Sequence, residues 1–173
     1  MTYTNLDDWT DATSGVTTIN FDELPGFTHV TTQHSHLGVA FIGNSYIFQN
    51  SLLFPSDGVG LNGGISVQPI TMDFSTPMTA IGVHFPTVFR YELDSNGELI
   101  ALSFHLASMG PGSFAGIISE IPFDRAIIRS TGGASTVIDT RFSGGAIPGP
   151  GGVAVLLGGC GLLGRGRRRG ARG

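Results

Sequence analysis

The feature that most constrains the fold is a series of short segments in which apolar and polar residues alternate, each bounded by a turn-forming residue. In the first, Val16 to Phe21 (VTTINF), successive side chains would point to opposite faces of a strand. Further segments are GVAFI, ITMDF, TAIGVHF, TVFRYEL, ELIALSF, RAIIRS and TVIDTRF. All are rich in β-branched and aromatic residues and end at Gly, Pro, Asn, Asp or Ser. The pattern predicts an all-β fold, an antiparallel, jelly-roll-like β-sandwich in which the first and last strands pair.

Two local signals add detail to this prediction. The stretch from Thr4 to Ala12 predicts one short N-terminal helix, capped by Thr4 or Asn5. In ELDSNGELIAL, the pair Asn96-Gly97 predicts a tight hairpin turn, because both residues accept positive φ angles. No long segment has a helical period, which argues against an α/β fold.

Charge is distributed unevenly along the chain. There is no lysine, and only four of the nine arginines lie before residue 147, together with all 13 acidic residues. That part therefore carries a net charge of −9, which five arginines near the C-terminus reduce to −4. Binding of nucleic acid needs a basic surface on the domain, so the acidic body argues against it.

Two motifs suggest ligand sites, and each has a simpler explanation. The stretch GVGLNG places Gly58, Gly60 and Gly63 in the dinucleotide-binding spacing, but no helix pattern follows, so we interpret it as a Gly-rich loop. The stretch HSH would place His34 and His36 on one face of a strand, as metal ligands require. Because no partner cluster has recognisable spacing, we interpret them as surface histidines.

Three carboxylates are candidate calcium ligands. Asp22 and Glu23 follow the first predicted strand, and Asp139 lies in the last one. If those strands pair, the carboxylates converge with backbone carbonyls, and oxygen is the ligand that Ca²⁺ prefers. Solvated carboxylates at strand ends are the alternative. A structural Ca²⁺ is the only cofactor that the sequence suggests.

The C-terminus combines a Pro-Gly spacer, an apolar run and an arginine cluster. From Ile147 to Gly164 there are 18 uncharged residues; as a helix they would span roughly 27 Å, against a hydrocarbon core of about 30 Å. The apolar positions are Val153, Ala154, Val155, Leu156, Leu157, Cys160, Leu162 and Leu163, and the basic ones are Arg165, Arg167, Arg168, Arg169 and Arg172. Basic clusters stay on the cytoplasmic side, so the pattern predicts a single transmembrane-type helix with the body outside.

This tail resembles the PEP-CTERM sorting domain (ice-binding protein C-terminal domain type) of Gram-negative and related bacteria. Members carry a Pro-Glu-Pro-like motif, an apolar stretch and a terminal arginine cluster; the motif corresponds to Pro148, Gly149 and Pro150, with Gly149 in place of glutamate. The resemblance implies that the protein is a substrate of an exosortase, a membrane-embedded cysteine protease. A permanent, uncleaved anchor and a disordered Gly/Arg end that binds anionic surfaces remain alternatives.

The preceding part of the chain resembles the β-sandwich ectodomains that accompany such tails, through TTINFDELPG, LGVAFIG, ITMDFSTPMTAIGVHF, YELDSNGELI and VIDTRFSG. The predicted organisation is an ectodomain over residues 1–143, a Gly/Pro linker over 144–152 and the sorting signal over 153–173. The family implies a Sec signal peptide. Because no such segment is visible at the N-terminus, we expect the true start to lie upstream of Met1.

The sequence therefore predicts an exported, non-catalytic protein of the cell envelope or extracellular matrix, with the membrane, an exosortase and extracellular polysaccharide as partners. One alternative is a carbohydrate-binding module, which would expose aromatic residues on one sheet face; the candidates are Tyr46, Phe89 and Tyr91, for which packing in the core is the competing interpretation. A second alternative is a secreted hydrolase, which would need two convergent carboxylates in a cleft.

Overall fold

The computed structural model describes residues 1–49, 59–63, 68–85, 89–105, 113–130 and 135–146. Within these ranges the chain is mostly antiparallel β-sheet, as predicted, with one short α-helix. The elements are β1 (Thr2–Tyr3), α1 (Leu6–Asp11), β2 (Thr13–Ser14), β3 (Thr17–Asn20), a 3₁₀ turn (Ser35–Leu37), β4 (Val39–Ile42), β5 (Tyr46–Gln49), β6 (Val59–Asn62), β7 (Ile70–Phe85), β8 (Phe89–Ser95), β9 (Glu98–His105), β10 (Ser113–Ser130), β11 (Thr136–Val137), β12 (Asp139–Ser143) and β13 (Gly145–Ala146).

An eight-stranded antiparallel sheet forms most of the described structure. Its order is β3-β12-β7-β10-β8-β9, and β1 and β4 pair with β10 and β7, respectively. The predicted pairing of the first and last long segments is confirmed, because β3 and β12 are neighbours and Asp139 lies opposite Asn20. A three-stranded sheet, β11-β6-β5, and a two-stranded sheet, β13-β2, complete the fold.

Two strands are longer than the sequence predicts. The segments ITMDF and TAIGVHF are parts of one strand, β7, and RAIIRS is the end of β10. Pro77, which separates these two predicted segments, lies exposed within β7. The pairing of β7 with β10 shifts register between Ile118 and Phe123, next to this proline. A bulge tolerates a residue that cannot donate a backbone hydrogen bond, so the strand continues through it.

Strands β5 and β6 were not predicted. The interpretation of GVGLNG as a loop was wrong over Val59–Asn62, which forms β6 between β5 and β11. Leu61 of β6 lies opposite Ile47 of β5, and both side chains are fully buried. The strand was missed because it has only four residues, and the surrounding glycines outweighed the signal from the one fully buried apolar residue, Leu61.

The N-terminal helix and the hairpin turn follow the prediction closely. Asn5 caps α1, and its side-chain oxygen accepts a hydrogen bond from the Asp7 backbone amide at 2.7 Å. At the β8–β9 turn, Asn96 has φ of 53° and Gly97 has φ of 83°, the positive values that this turn requires.

The three-stranded sheet and the large sheet share one hydrophobic core. Ile47 and Leu61 of the small sheet belong to the same buried cluster as Met72, Phe85 and Tyr91 of the large one. A second, smaller cluster joins helix α1 to strands β7 and β10 of the large sheet; its buried members are Trp9, Ala80 and Phe114. The segment between β3 and β5 is held on the first cluster through its buried residues Phe21, Val30, Val39 and Phe41.

Candidate functional site

A group of aromatic side chains lies at the surface where the segment before β4 meets strand β5. It consists of Phe27, His29, Tyr46 and Phe48, and we call it the aromatic surface. Phe27 is 77% exposed, His29 is exposed, and Tyr46 and Phe48 are half-buried. Tyr46 and Phe48 are two residues apart on β5 and therefore share a face, whereas Ile47 between them points into the core.

The rings of Phe27 and Tyr46 have nearly the same orientation. Their planes differ by 14° and their centroids are 6.4 Å apart. Carbon atoms in van der Waals contact are roughly 3.5–4.0 Å apart, so at this separation neither ring covers the face of the other. The ring centroid of His29 lies 6.3 Å from that of Tyr46, and the ring centroid of Phe48 lies 6.5 Å from it.

The backbone of Phe27 has an unusual conformation. Its φ is 62°, a region that costs a bulky residue on the order of 1–3 kcal/mol. The Thr28 amide donates to the Pro25 carbonyl at 3.2 Å, which makes Phe27 the third residue of a β-turn, where glycine is the usual choice. Two hydrogen bonds of 2.8 Å tie this turn to β5: Phe27 N to Ile47 O, and Ile47 N to Thr28 O. The exposed ring is therefore held on a fixed backbone.

Uncharged polar side chains flank the aromatic surface. The exposed amide of Gln49, at the end of β5, lies against Gly26, so that a β-carbon at position 26 would come 3.1 Å from its oxygen. Before the start of β5, the Asn44 side-chain amide donates to the Gln68 side-chain oxygen at 3.5 Å. Side-chain amides both donate and accept hydrogen bonds, so these groups suit a ligand rich in hydroxyls.

Every arginine of the described residues is engaged by a carboxylate. Arg125 binds Asp73 through two hydrogen bonds, of 2.6 and 2.9 Å. The other pairs are Arg90 with Glu92 at 2.7 Å, Arg129 with Glu92 at 2.9 Å, and Arg141 with Asp139 at 3.3 Å. Because the chain has no lysine, this part of the protein offers no uncommitted permanent cation to an anionic ligand.

The structure gives the three predicted calcium ligands different surroundings. Asp22 and Glu23 are exposed after β3, and the Glu23 carboxylate lies 3.8 Å from the His34 ring. Asp139 is instead held by His84 at 3.4 Å and by Arg141. The His84 contact, followed by the Arg141 charge, keeps the pKa of Asp139 below its usual value despite partial burial. Within the described ranges, no three His, Cys, Asp or Glu side chains are placed to hold a metal ion.

His34 and His36 do not lie on a strand, contrary to the geometry that a metal site would need. They belong to the 3₁₀ turn and its cap, with ring centroids 6.5 Å apart. The interpretation of both as surface histidines was wrong for His34, which is 1% exposed and packs edge-on against Phe21 and Phe41. Neither of its ring nitrogens has a hydrogen-bond partner among the described residues. Burial lowers its pKa, with Glu23 opposing and His36 adding to the shift.

Two of the three aromatic candidates for sugar binding are buried. Phe89 and Tyr91 lie on the core face of β8, and the Tyr91 hydroxyl donates to the Ala115 carbonyl at 3.0 Å. Burial raises the pKa of Tyr91. Only Tyr46 lies at the surface, and its neighbours Phe27 and His29 were not predicted. The signal that could have found Phe27 is an aromatic residue inside the turn sequence LPGFT.

A surface cleft in the described part of the chain contains carboxylates that are already engaged by neighbouring groups. It is lined by Asp73, Asp124 and Arg125, among others. Both oxygens of Asp73 accept hydrogen bonds from Arg125, and Asp124 accepts one from the Asn96 backbone amide at 3.0 Å. These contacts connect β7, β10 and the β8–β9 turn, which gives both carboxylates a structural role.

The predicted sorting motif, apolar helix and arginine cluster all lie outside the described residues. Among the residues that are described, no helix is long and apolar enough to cross a membrane. The tail therefore remains a prediction from sequence.

No protein-family model matches this chain, and no curated protein does. Three solved structures of domains from Clostridium perfringens ZmpB are similar to it. The CBM51-2 and INT domains share 11% identity at a TM-score of 0.38, over 82% of this chain and 43% of that one. The structure of the CBM32-1, CBM32-2 and M60 catalytic domains shares 11% identity at a TM-score of 0.38, over 91% of this chain and 17% of that one. The structure of the CBM32-1 and CBM32-2 domains in complex with GalNAc shares 7% identity at a TM-score of 0.34, over 83% of this chain and 39% of that one. This chain thus spans less than half of each, and likenesses of this size identify no family.

Proposed function

We propose that this protein is a non-catalytic carbohydrate-binding module displayed at the cell surface. The observation that carries the proposal is the exposed Phe27 ring, held nearly parallel to the ring of Tyr46. The face of an aromatic ring is electron-rich and attracts the polarised C–H groups on the flat side of a sugar. The amides of Gln49, Asn44 and Gln68 supply hydrogen-bonding groups for the hydroxyls at the sugar edge.

In this proposal the binding surface is carried by a β-sandwich. A sandwich is supported by the shared core, to which the three-stranded sheet and the large sheet both contribute side chains, as two facing layers would. The aromatic surface lies on the outer side of β5, opposite the buried Ile47. The core behind β5 thereby supports the strand that carries Tyr46 and Phe48.

A binding experiment tests the proposal. The full-length chain would be mixed with insoluble polysaccharides (cellulose, chitin, xylan and mannan) and with a printed glycan array, and bound protein measured. We expect retention on at least one glycan, loss of retention in Tyr46→Ala, and retention in Tyr46→Phe, which keeps the ring. Absence of binding to every glycan by the unmodified chain would refute the proposed function.

Surface display rests on a separate observation, the tail in which Pro148 to Pro150 precedes an apolar run and five arginines. We propose that this tail sorts the protein to the envelope and is cut by an exosortase. The intact mass of the protein from surface and membrane fractions of its native host tests this. A surface form that lacks the residues after Pro150 would support cleavage, whereas a full-length mass found only in membranes would indicate a permanent anchor.

A further inference from the structure

We infer that the ligand of the aromatic surface is a neutral oligosaccharide that places two consecutive sugar rings over Phe27 and Tyr46. This inference rests on the proposed function and specifies the charge of the ligand and its length. The charge is inferred from the ion pairs of the arginines, and the length from the arrangement of the two rings.

The charge of the ligand follows from the ion pairs. All four arginines of the described residues already contact Asp or Glu, at 2.6 to 3.3 Å between the closest atoms. A sulfated or uronate sugar would have to displace a carboxylate from one of them. It would also approach a body whose net charge is −9, and repulsion of that kind slows association and weakens binding. A neutral sugar avoids both costs.

The length of the ligand follows from the arrangement of the two rings. The ring planes of Phe27 and Tyr46 differ by only 14°, and their centroids are 6.4 Å apart. One flat sugar ring cannot fully cover the faces of both aromatic rings, whereas two linked sugar rings in an extended chain can. The Gln49 side chain lies against Gly26, the residue before Phe27, so its amide offers a hydrogen-bonding group near the turn that carries the second ring.

The backbone that carries the Phe27 ring is fixed without a ligand. Two hydrogen bonds of 2.8 Å hold the turn on β5, from Phe27 N to Ile47 O and from Ile47 N to Thr28 O. Because the backbone is already ordered, only side-chain freedom is lost on binding, so contact of the ring with a second sugar contributes to affinity. A turn built only for stability would carry glycine at this position.

The test is a titration by calorimetry of the full-length chain with oligosaccharides of one to four units. The neutral series comprises cello-, chito-, xylo- and manno-oligosaccharides, and the charged series is oligogalacturonate. For the neutral series that binds, we expect affinity to rise about tenfold or more from one unit to two, which corresponds to about 1.4 kcal/mol. Oligogalacturonate of equal length should bind at least tenfold more weakly.

Substitutions of the two rings test whether they cause the rise in affinity from one sugar unit to two. Phe27→Ala and Tyr46→Ala should each bind the disaccharide no more tightly than the monosaccharide. Leu102→Ala is the matched control, since Leu102 is a similarly exposed apolar residue (51%) on β9, away from the aromatic surface; it should behave as the unmodified chain does. Tyr46→Leu replaces Tyr46→Ala if the smaller side chain prevents folding.

The outcomes separate this inference from the proposed function. Equal affinity for one and two units, preference for the charged series, or an undiminished length effect in Phe27→Ala would each overturn the inference while carbohydrate binding itself stands. If the unmodified chain binds neither series nor any polysaccharide, both fail.

Discussion

Two aromatic groups in this molecule are built in opposite ways. Phe85, Phe89 and Tyr91 form an interior cluster in which neighbouring rings meet edge to face, at 85–86° and 4.2–5.0 Å. All three are at most 2% exposed. Phe27 and Tyr46 instead have nearly parallel rings 6.4 Å apart, and Phe27 is 77% exposed. The edge-to-face contacts close the interior cluster, whereas the parallel pair leaves ring faces open.

The difference separates aromatic residues that stabilise the fold from those that do not. A buried phenylalanine contributes about 1.5–3 kcal/mol through removal of its surface from water. Phe27 gains little of this stabilisation because its ring stays exposed, and its positive φ destabilises the folded state further. Residues that lower the stability of the fold are expected at binding sites, where function requires them. Substitutions in the two groups should therefore affect different measurements.

The largest effect is expected in the interior cluster. Phe89→Ala removes a ring that contacts both Phe85 and Tyr91 and leaves a cavity that the surrounding strands cannot fill. The free energy of unfolding should fall by about 3–5 kcal/mol, measured by urea denaturation. Leu102→Ala, at an exposed position, should change it by less than about 0.5 kcal/mol. A small change in Phe89→Ala would mean that this ring is not part of a closed core.

The second effect concerns the close approach of helix α1 to the large sheet. A β-carbon at Gly116 of β10 would overlap the indole of Trp9, which is fully buried and cannot move aside. Gly116→Ala should therefore lower the free energy of unfolding by about 1–3 kcal/mol. Gly144→Ala is the control, because the nearest atom there is the Pro77 carbonyl oxygen at 3.6 Å, an ordinary contact. Equal stability of the two variants would contradict the packing of Trp9 on Gly116.

The third effect extends the comparison to a buried and an exposed histidine. Burial lowers the pKa of His34 below 6.5, while Glu23 and His36 are the charged groups that influence it. The unfolded chain then binds more protons than the folded one as the pH falls below 6.5, so stability decreases with acidity in that window. The urea midpoint should drop between pH 7.5 and 5.5. The drop should be smaller in His34→Phe and unchanged in His29→Gln; the same drop in all three would exclude His34 as its cause.

Much of the fold could be predicted because its signals are local. Alternation at period two identified the segments of β3, β4, β8, β9 and β12, and the pair Asn96-Gly97 determined one turn through φ alone. Pairing of β3 with β12 followed from a general property of sandwiches. Long strands were divided wrongly at Pro77, because only the partner strand shows that a bulge accommodates it.

The site was harder to predict because exposure is a property of the whole fold. Tyr46 and Tyr91 are both aromatic residues in strands, and no local pattern reveals that one faces outward and the other inward. The interpretation of His34 was wrong for the same reason, since its burial depends on packing against Phe21, after β3, and Phe41, in β4. Phe27 becomes notable only when its backbone angle and its distance from Tyr46 are known.

The smallest change in stability, with the largest change in binding, is expected at Phe27. Phe27→Gly removes the exposed ring and replaces a residue strained at φ of 62° with one that accepts this angle freely. The free energy of unfolding should change by less than about 1 kcal/mol, because relief of strain offsets the added entropy of the unfolded chain. Affinity for the bound glycan should fall at least about tenfold. Asn96→Gly is the matched control, since Asn96 also has a positive φ, of 53°, but lies in the β8–β9 turn; its glycan affinity should not change. Loss of stability without loss of binding in Phe27→Gly would place Phe27 with the interior cluster, as a residue that holds the fold.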